Sequence, residues 1–146
     1  MSSASNKAKG RRFQQEIMRQ IAQCLKKECG KDTEIESRPM GQSGTDIRLS
    51  GEARELFDYA CECKNSKTFN VPNAIRQGRT NQKKEGYNRW LCFFKNEKFN
   101  KSFVLLDTEE FFNIYRELVE LRKVERIRGI RRIILRDIRE RVNRVA

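Results

Sequence analysis

Three side chains in this sequence have the types and spacing for joint chemistry. The run Gly44-Thr45-Asp46-Ile47 is followed, sixteen residues after the aspartate, by Glu62-Cys63-Lys64. Residues two apart in a strand leave the same face, so Glu62 and Lys64 would emerge side by side. If the strand bearing Asp46 pairs beside them, two carboxylates and an ammonium converge. Carboxylates in close company repel, so one takes up a proton or both hold a cation. Mg²⁺ or Mn²⁺ suits such a pair, because hard cations take oxygen ligands and leave room for water and phosphate. Asp46 and Glu62 are the candidate ligands, with the backbone carbonyl of Cys63 as a further oxygen. Lys64 would then orient or deprotonate the attacking water and offset charge on the phosphate. The chemistry is phosphodiester hydrolysis. The competing reading makes Glu62 and Lys64 a same-face pair on a solvated strand, with Asp46 a turn residue. A Glu-x-Lys triplet recurs by chance in charged chains. Its placement after a G-x-D-I strand and before a basic helix gives it weight.

Bulk composition narrows the alternatives. The 146-residue chain contains no histidine, which removes Ser-His and Cys-His hydrolases, HEXXH metalloproteases and histidine-metal nucleases. Five cysteines, an odd number with no CxxC pair, read as small reduced apolar side chains rather than as zinc ligands or disulfides. With 32 Lys and Arg against 20 Asp and Glu, the formal charge is +12, which favours polyanionic partners. No apolar run approaches the ~20 residues of a membrane span, and residues 1–7 lack the apolar stretch of a secretory signal. The expectation is a protein of the cytoplasm, or of the host cytoplasm or nucleus if the chain is viral.

The elements that must position these residues follow from periodicity. Residues 1–8 are polar and expected to be frayed and disordered. From 9 to 29, Phe13, Ile17, Ile21 and Cys24 recur at helical spacing, widened by Met18, Ala22 and Leu25, with Gly30 placed to end the helix. A short strand over 33–38 and a turn-rich loop at Pro39-Met40-Gly41-Gln42-Ser43-Gly44 come next. Strands are expected over 45–49 and 57–64, joined by a connection at 51–55. Asn70 and Pro72 open a helix that Gly86 closes. Residues 90–94 and 103–106 read as buried strands, and Asp107 with Glu110 as a capping box for a further helix. That helix carries Phe111, Ile114, Tyr115 and Leu118. Its continuation carries Ile127, Ile130, Ile134, Ile138, Val142 and Val145, opposite Arg128, Arg132, Arg136 and Arg139, with Gly129 as a possible break. The fold class is α/β: a mixed sheet flanked by helices. One domain is expected over 9–120, followed by a basic amphipathic helix over 121–146.

Lys9-Gly10-Arg11-Arg12-Phe13-Gln14-Gln15-Glu16, Thr45-Asp46-Ile47, Glu62-Cys63-Lys64 and Gln77 together resemble the PD-(D/E)xK nuclease superfamily, and within it the archaeal-type Holliday junction resolvases. The resemblance covers roughly residues 9–116. It implies a restriction-endonuclease-like core, one or two divalent metals, and often a homodimer. It implies that Glu16 on the first helix helps hold a metal, often through water, and that Gln77 contacts catalytic water or substrate, with Gln82 as its competitor. The serine used by resolvases would be Ser37 or Ser43. Gly44-Thr45 stands where the motif's proline would, and the connection between the motif strands is long. Those departures bear on junction specificity more than on nuclease chemistry.

Arg11, Arg12 and Arg19 on the first helix, with Arg76, Arg79, Lys83 and Lys84 on the later one, would flank this site and contact DNA phosphates. The expected protein is an Mg²⁺-dependent endodeoxyribonuclease acting on DNA, with four-way junctions as its substrate by resemblance. The alternatives are another nuclease of the superfamily, in repair or restriction, and a basic DNA-binding protein that does not cut. The stripe of the C-terminal helix could be a dimer seam, a DNA-gripping arm or a membrane-surface helix, and its regularity favours simple core or dimer packing.

Overall fold

The computed structural model describes residues 3–39, 41–99 and 101–145; Met40, within the expected loop, lies outside them. A first helix, α1 (Ser3–Leu25), precedes two short strands, β1 (Ile35–Ser37) and β2 (Ile47–Leu49). A short helix α2 (Gly51–Leu56) leads into β3 (Tyr59–Asn65), and helix α3 (Val71–Glu85) into β4 (Arg89–Lys95) and β5 (Ser102–Leu105). A long helix, α4 (Thr108–Val145), completes the order. The class is α/β, as the alternation of patterns predicts, with one five-stranded mixed sheet.

The strands lie in sequence order across the sheet. β1, β2 and β3 run as an antiparallel meander, β3 and β4 are parallel, and β4 and β5 are antiparallel. A parallel neighbour requires a crossover, and α3 provides it. Asn70 caps α3 by accepting from Asn73 N–H at 2.9 Å, Pro72 sits in its first turn, and Gly86 at φ 68 ends it in the left-handed conformation.

Register assigns side chains to faces. Ala60, Glu62 and Lys64 pair across β3 and β4 with Trp90, Cys92 and Phe94, so these six share one face. That face belongs to α3: Asn81 bonds Glu62, and a Cβ on Gly78 would stand 2.5 Å from Trp90. The opposite face belongs to α1, where Lys95 pairs with Glu16 and Asn65 donates to the Lys9 carbonyl. The core lies mainly here: Phe13, Ile17, Met18 and Ile21 of α1 are buried with Ile35, Ile47 and Cys61. Each such large side chain contributes roughly 1.5–3 kcal/mol by leaving water.

Several boundaries differ from the sequence reading. α1 starts at Ser3, within the segment expected to fray, and residues 1 and 2 lie outside the described residues. It stops at Leu25, where Lys26 turns left-handed at φ 54, so Gly30 does not end it. Cys24 is exposed rather than part of the buried stripe. Residues 51–56 form a helix, not a plain connection, because Glu34 accepts the N–H groups of Glu52 and Ala53 at 3.2 and 3.1 Å. That helix displaces the start of β3 from 57 to Tyr59.

The compact unit that holds the sheet ends at Leu106, and Asp107 begins a second one. α4 runs through Gly129 without a break. Phe111, Ile114, Tyr115 and Leu118, expected inside the nuclease domain, are exposed, as are Ile127, Ile130, Ile134 and Ile138. The side chains of Val142 and Val145 lie outside the described residues. No helix among the described residues is long and apolar enough to cross a membrane.

Candidate active site

Asp46 stands one residue before β2. Its N–H donates to the Cys61 carbonyl at 2.9 Å, which extends the β2–β3 pairing, and its carbonyl accepts from Arg38 N–H at 2.8 Å. Ile47 pairs with Cys61 on the α1 face, so alternation turns Asp46 towards the face of Glu62. The Asp46 carboxylate accepts the Cys63 N–H at 2.7 Å. A residue's N–H and C=O leave a strand on the same edge, so the Cys63 carbonyl also faces the Asp46 side of β3.

Glu62 is fully buried. Its Oε1 accepts from the Asn81 side chain at 2.5 Å. Its Oε2 has no hydrogen-bond donor among the described residues, although Lys64 Nζ stands 3.4 Å away as an ion-pair partner. Burial, and secondly the charge of Asp46, push the Glu62 carboxyl up to about 7, while Asn81 and Lys64 pull the other way. Asp46 is raised too, again chiefly by burial, and is held back by the Cys63 N–H and the charges of Lys64 and Arg38. Two carboxylates are thus drawn from water close together, with one Glu62 oxygen met, among the described residues, only by the Lys64 ammonium at 3.4 Å.

A rigid surround fixes this pair. The buried Gln14 side chain donates to the carbonyls of Arg38, at 2.8 Å, and of Asp46. Glu85, at the end of α3, accepts from the N–H and hydroxyl of Thr45 at 2.9 and 3.0 Å and pairs with Arg38 at 3.0 Å. Gly44 has φ +118, and a Cβ there would lie 1.9 Å from a Glu85 oxygen. Only glycine meets both demands. Asn81 donates a second bond, to the Gly44 carbonyl at 3.0 Å, which ties the loop to Glu62.

Asp46, Glu62, Lys64 and the Cys63 backbone therefore come together as their spacing predicts. Glu16 does not join them: it lies on the opposite face of the sheet, 3.3 Å from Lys95, in a cleft of about 540 Å³ that Arg12 and Phe13 also line. The sequence placed Glu16 at the rim of the buried stripe of α1 but could not say which face of the sheet α1 covers. No group of three His, Cys, Asp or Glu side chains is spaced to hold an ion among the described residues; the oxygen donors that come together here are the carboxylates of Asp46 and Glu62 and, on the same edge of β3, the Cys63 carbonyl. Hard oxygen donors, with a buried carboxylate oxygen that accepts no hydrogen bond among them, fit a small divalent cation.

Gln77 is half-buried on α3, one turn before Asn81. Gln82 donates to the Asn88 carbonyl at 2.7 Å at the end of α3, away from the pair. Ser43 accepts from Lys84, whereas Ser37 is in β1. Asn81, Gln14 and Glu85 are the residues sequence reasoning missed. Asn81 had a signal, since it continues the inward row Ala74, Gly78, Asn81 of α3. The seven basic candidates are all exposed, but those of α1 and those of α3 project from opposite sides of the sheet. No family model matches this chain, and no curated protein or solved structure shows significant similarity to it.

Proposed function

We propose that this protein is a divalent-metal-dependent DNA endonuclease of the PD-(D/E)xK type, on a restriction-endonuclease-like fold. The observation that carries the reading is the buried Glu62: one oxygen is fixed by Asn81, the other has no donor, and both Asp46 and Lys64 are beside it. A carboxylate sealed from water without full hydrogen bonding is costly unless something compensates it. A cation between Asp46 and Glu62 would do so. The antiparallel β1–β2–β3 meander, with β4 reached in parallel through α3, supports the same assignment.

In this reading Asp46, Glu62 and the Cys63 carbonyl hold Mg²⁺ or Mn²⁺, which when bound supplies Lewis acidity at the phosphate and a lowered pKa for water. Lys64, with its side chain about one-third exposed, reaches from the buried carboxylate towards solvent. There it orients the attacking water and offsets charge on the phosphate. Asn81 fixes the Glu62 rotamer, and Cys63 N–H fixes that of Asp46. By its motif residues the substrate is branched DNA, four-way junctions above all, cut by a homodimer.

That no third His, Cys, Asp or Glu groups with Asp46 and Glu62 among the described residues favours one competitor, a basic protein that binds DNA without cutting it. The test is cleavage in Mg²⁺ of four-way junctions, flaps and linear duplex. Lys64→Ala and Asp46→Asn should each reduce cleavage by at least ~10³-fold and leave DNA affinity within a few-fold. Wild-type rates in both variants would leave only the binder. Paired symmetric nicks confined to the junction would establish the resolvase substrate.

A further inference from the structure

We infer that the stacked phenylalanines beside Lys64 form a platform for unpaired bases, so that the DNA taken by this site carries a single-stranded stretch next to the scissile phosphate. The inference rests on the nuclease reading and narrows its substrate to DNA that is open at the cut.

The platform grows out of the sheet. Lys64, Phe94 and Phe103 are register neighbours on β3, β4 and β5, so they follow one another across the face that holds Glu62. Phe69, from the loop before α3, stacks on Phe94 with ring centres 4.1 Å apart and planes 5° from parallel. Phe94 in turn stacks on Phe103 at 5.1 Å, and Phe99 meets Phe103 edge-on at 5.4 Å. Phe69 and Phe94 are half-buried, whereas Phe103 and Phe99 are 39% and 54% exposed. The row therefore ends in open faces. Two strand spacings separate Phe103 from Lys64, roughly 10 Å, which is about three base steps of a stacked strand at ~3.4 Å each.

The rings are held in place before any ligand arrives. Asn96 is buried, and its carboxamide donates to the carbonyls of Ser66 at 3.2 Å and Lys67 at 2.7 Å, which fastens the loop after β3 to the loop after β4. The Phe99 N–H closes the second loop on the Asn96 carbonyl at 3.1 Å. Rings fixed in this way lose little freedom when a base lies on them. Their neighbours are cationic: Lys67, Lys98 and Lys101 are interleaved with Phe69, Phe99 and Phe103, and Glu97 is the only acid in residues 94–103. Glu97 itself pairs with Lys9 and Lys67. Phe99 also borders the cleft that Lys9, Arg12 and Lys95 line. Aromatic faces for bases, set among cations for the backbone, are how proteins hold single strands without reading sequence. A duplex keeps its bases stacked on each other and offers these rings nothing. An apolar protein partner would gain from the rings but not from the lysines among them.

The test is fluorescence anisotropy with a labelled deoxythymidine oligonucleotide and a linear duplex, over about 50–200 mM KCl. Phe99→Ala removes the most exposed ring of the row from a loop position. It should weaken single-strand binding at least ~5-fold, keep duplex binding within ~2-fold, and leave the salt dependence unchanged because no cation is lost. Phe99→Trp keeps a stacking face and should hold wild-type affinity. Its emission should fall as the oligonucleotide is added, with wild-type protein, whose single Trp90 is buried, as the reference. Lys98→Gln/Lys101→Gln should instead lower the slope of log K against log salt by about 1.4 on the single strand. A Phe99→Ala protein that binds the oligonucleotide as tightly as wild type, or that loses single strand and duplex alike, overturns the platform and leaves the nuclease reading standing. That reading fails separately, by wild-type cleavage in Asp46→Asn.

Discussion

The two faces of the sheet are covered alike, each by one helix, yet they are built from different materials. Under α1 lie Phe13, Ile17, Met18, Ile21, Ile47 and Cys61, all apolar and buried. Under α3, beside Trp90 and Ala74, lie Glu62 and Asn81, both buried and polar. The first face is held mainly by apolar contacts, and its one buried polar side chain among the described residues of α1, Gln14, is satisfied by two carbonyls. The second gives up some stability, because a buried carboxyl with one oxygen that accepts no hydrogen bond among the described residues costs free energy that an apolar side chain would not. Such a local loss in an otherwise consistent fold is the usual mark of a working site.

Breaking each face in turn should show the difference. The largest effect on stability is expected on the α1 face: Phe13→Ala should cost about 3–5 kcal/mol in chemical denaturation, and any fall in cleavage should track the unfolded fraction. A fall in activity with stability intact would place Phe13 in the working half of the molecule instead.

Next in size is the pH response of the α3 face. Folded Glu62 keeps its proton up to about 7, while an unfolded glutamate loses it near 4.5. Between those values the folded state binds more protons, so metal-free stability should fall as pH rises across that window. The full effect is on the order of 3 kcal/mol. Glu62→Gln, which cannot ionise, should flatten that slope when unfolding is followed from pH 4.5 to 7. Parallel curves for the two proteins would mean that Glu62 is not the titrating group.

Asn81→Ala should have the smallest effect on stability, about 1–3 kcal/mol for an acceptor left without its donor. Because the Asn81 bond lowers the Glu62 pKa, its loss should raise that pKa further and weaken metal binding by calorimetric titration. Unchanged metal affinity would reduce Asn81 to packing.

What was legible in the sequence follows the range of the forces involved. The strands, the crossover helix with its Asn70 and Gly86 ends, and the Asp46, Glu62 and Lys64 constellation all rest on short-range periodicity. Features set by distant partners were not legible. α2 had a local signal, since Ser50 suits an N-cap and Glu52-Ala53-Arg54-Glu55-Leu56 are good helix formers, but the Glu34 carboxylate that satisfies its first N–H groups comes from before β1 and was not legible. Glu16 was placed by the resemblance and by its position beside the buried stripe of α1, and neither says which face of the sheet lies beneath that helix. Asn81 was hidden among Arg and Lys, because a basic helix was read for its exposed side and not for its inward row. The apolar residues of α4 gave a helix correctly, but the stripe does not say what it packs against, and Phe111, Ile114, Tyr115 and Leu118, assigned to the domain of the sheet, are exposed.

Gly44 carries one more implication, for ancestry. Its backbone conformation, at φ +118, strains any side chain there whatever residue stands at 85, and the Glu85 oxygen beside it belongs to the far end of a flexible side chain. Descendants of the same ancestor that keep this loop should therefore keep glycine at 44, with or without the carboxylate at 85. Glycine two residues before the aspartate is thus a sharper signature for recognising kin than a Glu-x-Lys triplet alone.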